Sequence, residues 1–259
     1  MRPESRPESY VGLTGFENAA QVTTLRGVLP KDRLLMVGCV MRGNPNTWAP
    51  DKWPNRCPRP KELRSIFGPH HNVLNMLHFT PPAKGTLYEH LCRAKEMAGV
   101  HLHGFQINIP WPNVEAIARY KTQHPDAVIT FALREQVIAS VARNIELLAE
   151  RMKPYQGIID YVIMDTSEGR AQPLDVMFTA RCFGKLSAVL PDVGFVAAGG
   201  LCADNVKEKL RYLWRFPLST DAEGKLRTAD DHLDLDAAIR YVKAADALLC
   251  WCEAERRAA

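Results

Sequence analysis

One local pattern recurs along this chain: a short apolar run, a turn of small or acidic residues, then apolar residues at helical spacing. The strand-and-turn part is plainest in Tyr161-Val-Ile-Met-Asp165, Gly194-Phe-Val-Ala-Ala-Gly-Gly-Leu201 and Pro217-Leu-Ser-Thr-Asp221-Ala-Glu-Gly224, and the first two lead into helical patterns. Continuous apolar runs of this length read as strands buried on both faces. Strands that alternate with helices build a parallel sheet, and the chemistry of such sheets lies at the carboxyl ends of the strands.

Counting the pattern along the chain gives eight strands. Five more runs, at 9–14, 34–41, 73–79, 100–109 and 127–133, precede the three above. Helical patterns follow at 17–29, 86–98, 114–124, 135–152 and 235–250. Eight units in 259 residues point to an α/β fold, a (β/α)8 TIM barrel spanning residues 9–259. Two small domains would also suit the length, but no Gly/Ser-rich linker or run of like charge divides the chain. Residues 1–8 are polar and near-repetitive, and are expected to form a disordered arm rather than a secretory signal. One stretch breaks the rhythm. Residues 43–72 hold Pro45, Pro50, Pro54, Pro58, Pro60 and Pro69 together with Trp48 and Trp53, leaving room for a helix only at 60–67. This extended loop after strand two is read as an ordered flap or as a contact between copies in a homodimer.

Composition excludes several partners. A net charge of +4 with both signs interspersed gives no basic face for nucleic acid, and no segment is long and apolar enough for a bilayer. Seven cysteines without CxxC spacing fit reduced thiols in a cytoplasmic protein. The chain lacks a GxSxG elbow, a GxxxxGK[ST] loop and a lysine at a strand end, which removes several enzyme classes and calls for no cofactor.

Candidate site residues gather at the expected strand ends. Asp165 closes a buried strand, where desolvation suits a carboxyl group to acid/base work. Its structural alternative is to accept hydrogen bonds from the following turn. Gly199 and Gly200 precede a helix start, and their open backbone suits a phosphate, with Ser219 and Thr220 on the next strand as further contacts. A Gly-Gly pair also serves ordinary strand-to-helix turns. His101 and His103 alternate on strand four. Metal ligation needs further ligands that neighbouring strand ends do not offer, so histidines hydrogen-bonded near the mouth are the preferred reading and no metal is expected. Asn75, His78, Asn108 and Arg42 are further polar groups of that mouth, and Arg42 could grip a carboxylate through two hydrogen bonds.

These segments resemble the phosphoribosylanthranilate isomerase family of tryptophan biosynthesis over nearly the whole chain. Tyr-Val-Gly-Leu-Thr14 stands where the family opens with Lys-Ile-Cys-Gly-Leu-Thr, and Val100-His-Leu-His-Gly104 resembles Val-Gln-Leu-His-Gly. Ile163-Met-Asp165-Thr matches Leu-Leu-Asp-Ser, and Val196-Ala-Ala-Gly-Gly-Leu-Cys-Ala-Asp-Asn-Val206 is close to Leu-Ala-Gly-Gly-Leu-Xaa-Pro-Glu-Asn-Val. Ser219-Thr-Asp-Ala-Glu223 and Ala238-Ile-Arg-Tyr-Val-Lys243 echo the family's last strand and helix. The resemblance implies an Amadori rearrangement with Asp165 as acid and a phosphate held by Gly199, Gly200, Ser219 and Thr220. It places the base at Val11, which cannot move a proton, and puts Asp221 where the family has glycine. Asp221, His103 and Glu168 are the candidate replacement bases, Asp221 first. Three outcomes stay open: an isomerase-like enzyme on a small phosphorylated sugar-type metabolite, a lyase, decarboxylase or epimerase on a related one, and a catalytically silent barrel that binds a metabolite or partner.

Overall fold

Eight parallel strands close into a barrel in sequence order. They are β1 (Tyr10–Thr14), β2 (Leu34–Arg42), β3 (Val73–Thr80), β4 (Gly104–Ile107), β5 (Val128–Leu133), β6 (Tyr161–Met164), β7 (Gly194–Ala198) and β8 (Leu218–Ala222). This architecture comes from a computed structural model that describes residues 7–43, 54–82, 85–165 and 174–259. The helices are α1 (Ala19–Val28), α2 (Pro60–Ile66), α3 (Leu87–Ala98), α4 (Val114–Gln123), α5 (Glu135–Ser140), α6 (Ile145–Met152), α7 (Val176–Val189), α8 (Val206–Leu210) and α9 (Leu235–Ala258). Several helix starts are fixed by side-chain caps: Asn18, Thr86, Asn113, Asn144, Asp175 and Asp234 each accept a hydrogen bond from the amide three residues on. Among the described residues no helix is long and apolar enough to cross a membrane.

Strand alternation divides the apolar side chains into two cores. One lies between sheet and helices and takes Val11, Leu13, Phe105, Ile107, Val162 and Met164. The other fills the lumen with Tyr10, Met36, Leu74, Met76, Ala132, Tyr161, Ile163, Val196 and Ala198. Tyr10 and Tyr161 meet edge to face with ring centroids 5.1 Å apart, and Tyr161 Oη donates to the carbonyl of Glu8 at 2.6 Å. Glu8, expected in a disordered arm, therefore lies against the amino-terminal end of the barrel.

Three expectations change here. His101 and His103 do not lie on a strand: α3 ends at Gly99 (φ 89°), and β4 begins only at Gly104. The single helix expected at 135–152 is two helices, because Ala142 and Arg143 take left-handed φ angles of 51° and 55° and Asn144 caps a new start. The last helix runs on to Ala258. Within the loop after β2, residues 54–56 form a 3-10 turn and α2 follows as expected, whereas Trp48 and Trp53 lie outside the described residues.

Candidate active site

At the carboxyl end of the barrel the lumen changes from apolar to polar. Thr14 on β1, His78 on β3 and Asp221 on β8 all face it and are almost fully buried. Thr14 is their centre. Its hydroxyl oxygen lies 3.2 Å from both carboxyl oxygens of Asp221, and 3.3 and 3.2 Å from the two ring nitrogens of His78. His78 Nε2 is 3.9 Å from Asp221 Oδ2, too long for a hydrogen bond, so Thr14 bridges the two. Gly38 on β2 makes the cluster fit. A Cβ at that position would lie 2.5 Å from Thr14 Oγ1 and 3.1 Å from His78 Nε2.

Burial sets the protonation of this cluster. It pushes His78 down to about 3, so the imidazole is neutral at physiological pH. It drives Asp221 well above the carboxylate range, and the negative charges of Glu223 and Asp165 add to that rise. Hydrogen bonds from Thr14 and from the backbone of Ala222 oppose the rise without cancelling it. Glu223 is also raised by burial, but Arg56 pulls it back through a 2.8 Å ion pair. Arg56 holds Asp231 as well, at 2.5 Å, and so ties the loop after β2 to the loop after β8. Arg227 extends this network to the carbonyl of Gly15 and to Glu17, at 2.7 and 3.1 Å.

The residues expected from sequence fall into different places. Asp221 is the buried carboxyl of the mouth, whereas Asp165 closes β6 on the lumen side and is only half buried. Arg42 ends β2 at the same rim. Gly199 and Gly200 follow β7 with φ angles of 114° and 61°, which side chains rarely adopt, so glycine is required there. Their loop is closed by Asn205, which donates to the carbonyl of Gly200 at 2.8 Å and accepts from the amide of Cys202 at 2.9 Å.

Ser219 and Thr220 do not join this loop. Ser219 faces the lumen below Asp221, and its hydroxyl accepts from the amide of Tyr10 at 3.0 Å. Thr220 faces outward, where Tyr241 on α9 donates to it at 2.9 Å. His103 is at the opposite, amino-terminal end; its Nδ1 accepts from the amide of Asn75 at 2.8 Å. Asn75 lies at that same end, with its amide on the carbonyls of Gly68 and His101. Val11, the position of the family's base, packs in the core between sheet and helices. Glu168 is outside the described residues.

Sequence reasoning passed over Thr14 and Arg56. Thr14 carried a signal, as the one polar side chain at the end of an apolar strand. Arg56, inside the proline-rich stretch, carried none. Among the described residues no group of three or more His, Cys, Asp or Glu side chains is arranged to hold a metal ion. The mouth brings the Asp221 carboxyl together with the Thr14 hydroxyl and the neutral His78 ring, with Glu223 held by Arg56 nearby.

No protein-family model matches the chain, and no curated protein matches it in sequence. Solved structures match it in fold. The octameric ribulose-1,5-bisphosphate carboxylase/oxygenase from Pyrococcus horikoshii has a TM-score of 0.59 at 15% identity, over 95% of this chain and 59% of that one. The chain thus spans about three fifths of that protein's length. The catalytic domain of a chitinase from Pyrococcus furiosus has a TM-score of 0.55 at 11% identity, over 95% of this chain and 98% of that one. The CutC protein of Streptococcus agalactiae follows with 0.52 and 12%, over 83% and 99% of the two chains. These likenesses establish the eight-stranded parallel barrel and do not single out the isomerase family.

Proposed function

We propose that this chain is a barrel enzyme that moves a proton on a small polar metabolite, with Asp221 as the acid and Asp165 as the base. The observation that carries this reading is the buried Asp221 carboxyl on Thr14, beside a neutral His78. A threonine hydroxyl has one hydrogen. When Thr14 gives that hydrogen to Asp221 and accepts one from the His78 ring, the carboxyl proton of Asp221 is left to point into the lumen. Asp165, at the end of β6 on the same lumen face, supplies a carboxylate to take a proton from the substrate. A buried carboxyl group facing a second carboxyl group on the same lumen is suited to paired acid and base roles.

The resemblance to phosphoribosylanthranilate isomerase makes a phosphorylated sugar-type substrate the first to try. The resemblance would seat its phosphate at Gly199 and Gly200, whose open backbone leaves room for one. Ser219 and Thr220 do not contribute, since their hydroxyls are engaged elsewhere, and Asp221 and Glu223 place negative charge on the neighbouring strand. Isomerisation, epimerisation and decarboxylation all need a proton delivered to or removed from carbon, so one assay covers the three. The protein is incubated in heavy water with phosphorylated aldoses, ketoses and aminoaldoses, and deuterium entering carbon is followed by NMR. Exchange that disappears in both Asp221→Asn and Asp165→Asn is the expected result. Exchange that persists in both folded variants would remove the assignment. If the wild type binds a metabolite tightly without any exchange, the barrel is a binding protein. Rescue of a strain lacking the isomerase would narrow the reaction to the family's own.

A further inference from the structure

The wall of the mouth opposite Asp221 carries a different set of groups. β4 and β5 lie across the eight-membered ring from β8 and β1. Phe105 and Ile107 pack toward the helices, so Gln106 and Asn108 between and after them face the lumen. Arg134 follows β5 with the parity of Ala132, a lumen residue. Gln106 Nε2 donates to Asn108 Oδ1 at 2.9 Å, which occupies the amide oxygen of Asn108 and turns its NH2 group away from Gln106. Arg134 Nη1 donates to the backbone carbonyl of Asn108 across a long 3.5 Å contact, which brings the guanidinium to the end of β4.

Three other arginines around the barrel are held by carboxylates. Arg33 pairs with Asp246 and Glu253, Arg56 with Glu223 and Asp231, and Arg227 with Glu17 and Asp231. Among the described residues no carboxylate lies within ion-pair distance of Arg134. A half-buried guanidinium with no carboxylate partner among the described residues, on the same wall as the Asn108 amide, is a set of donors with room for an anionic acceptor. Partly desolvated cations of this kind are completed by an anion, and the planar fork of arginine suits the two oxygens of a carboxylate or phosphate.

We infer that Arg134 and Asn108 form an oxyanion subsite, positioned by Gln106, which binds the carboxylate or phosphate of the substrate. This rests on the acid/base reading above and adds a substrate class to it. The metabolite spans the mouth, its anionic group on the β4–β5 wall and its reacting carbon near Asp221 and Asp165. Bound this way, the anion stays clear of the carboxyl groups on β8.

The test titrates malonate and inorganic phosphate separately into the full chain by calorimetry at low ionic strength, where surface screening is weakest. Wild type is expected to bind at least one of the two, and the preferred one tells carboxylate from phosphate. Arg134→Gln should weaken binding at least tenfold. Arg134→Lys should fall between, because lysine keeps the charge and loses the fork. Asn108→Ala should weaken it severalfold. Melting curves give a second readout: the anion raises the midpoint of wild type and not that of Arg134→Gln.

Equal affinity in a folded Arg134→Gln variant would overturn the subsite. So would binding that survives in Arg134→Gln but is lost in Asn205→Ala, since that places the anion at Gly199 and Gly200. Failure of folded wild type to bind either anion would overturn it as well. Asp221→Asn separates the two claims: it should keep anion affinity while losing proton exchange.

Discussion

The two ends of this barrel satisfy their polar side chains in different ways. At the amino-terminal end the partners are mostly backbone. His103 accepts from the amide of Asn75, Asp160 from the amide of Ile129, Ser219 from that of Tyr10, and Tyr161 donates to the carbonyl of Glu8. At the carboxyl end side chains contact each other: Thr14 with Asp221 and His78, Gln106 with Asn108, Arg56 with Glu223 and Asp231. Bonds to backbone tie down strand ends and loops, and they cannot rearrange without moving the chain. Bonds between side chains can exchange protons and partners while the strands stay fixed. One end is held mainly through the backbone, and the other keeps a cluster of side-chain partners that can rearrange.

Acid should separate the ends most strongly. His78 has a folded value of about 3 against 6.5 for the free side chain, so the native protein binds fewer protons than the unfolded chain between those values. The stability it supports is complete above about pH 6.5 and is lost as pH falls, by up to about 4–5 kcal/mol across the window. Asp221 acts with the opposite sign. Its raised value means that the folded state retains a proton the unfolded chain releases, so its contribution is complete below about pH 4 and is lost as pH rises. In Asp221→Asn the His78 effect is no longer opposed by Asp221, and urea denaturation between about pH 4 and 6.5 should show a steeper acid loss than in wild type. An unchanged slope would mean that Asp221 is not protonated in the native state. His78→Asn should flatten the curve.

Truncation of the lumen plug comes next. Tyr161→Ala should cost about 3–5 kcal/mol, as for other large aromatic core residues, and lower urea midpoints at every pH. Arg56→Gln should cost less, about 2–3 kcal/mol, because Glu223 loses its counter-ion while Asp231 keeps Arg227, and both carboxylates remain partly solvated. Added salt should narrow that difference in urea titrations. A smaller effect with reversed sign is expected for Asp221→Asn above the ordinary carboxylate range, where folding no longer has to retain a proton on residue 221 and the melting midpoint rises. The smallest belongs to His103→Ala. Loss of one exposed side-chain bond to backbone should cost about 1 kcal/mol or less and leave deuterium exchange untouched. A large loss of exchange in that variant would show that the two ends are coupled.

How much was legible in the sequence follows the same division. The eight strands could be read because each is a continuous apolar run, and the caps at Asn113 and Asp234 sit where the helical patterns start. Facing was harder. Leu-Ser-Thr-Asp-Ala in β8 is buried throughout, so nothing in its pattern tells that Ser219 and Asp221 face the lumen and Thr220 faces α9. The histidine pair was misplaced because Gly99 ends α3 in a left-handed turn that the apolar pattern from Val100 onward conceals. The break at Ala142 and Arg143 had no glycine or proline to announce it. The site itself depends on pairs far apart in sequence: Thr14 and Asp221 are 207 residues apart, and Arg56 and Glu223 are 167 apart. Only closure of the barrel brings such residues together.

The protonation of Asp221 can be observed directly, without knowing the substrate. A difference infrared spectrum between wild type and Asp221→Asn at neutral pH should contain the carbonyl stretch of one protonated carboxyl group in a dry environment. That band should shift on transfer to heavy water and survive well above the pH at which free carboxylic acids ionise. A difference spectrum holding only carboxylate bands at neutral pH would contradict the assignment of Asp221 as the acid.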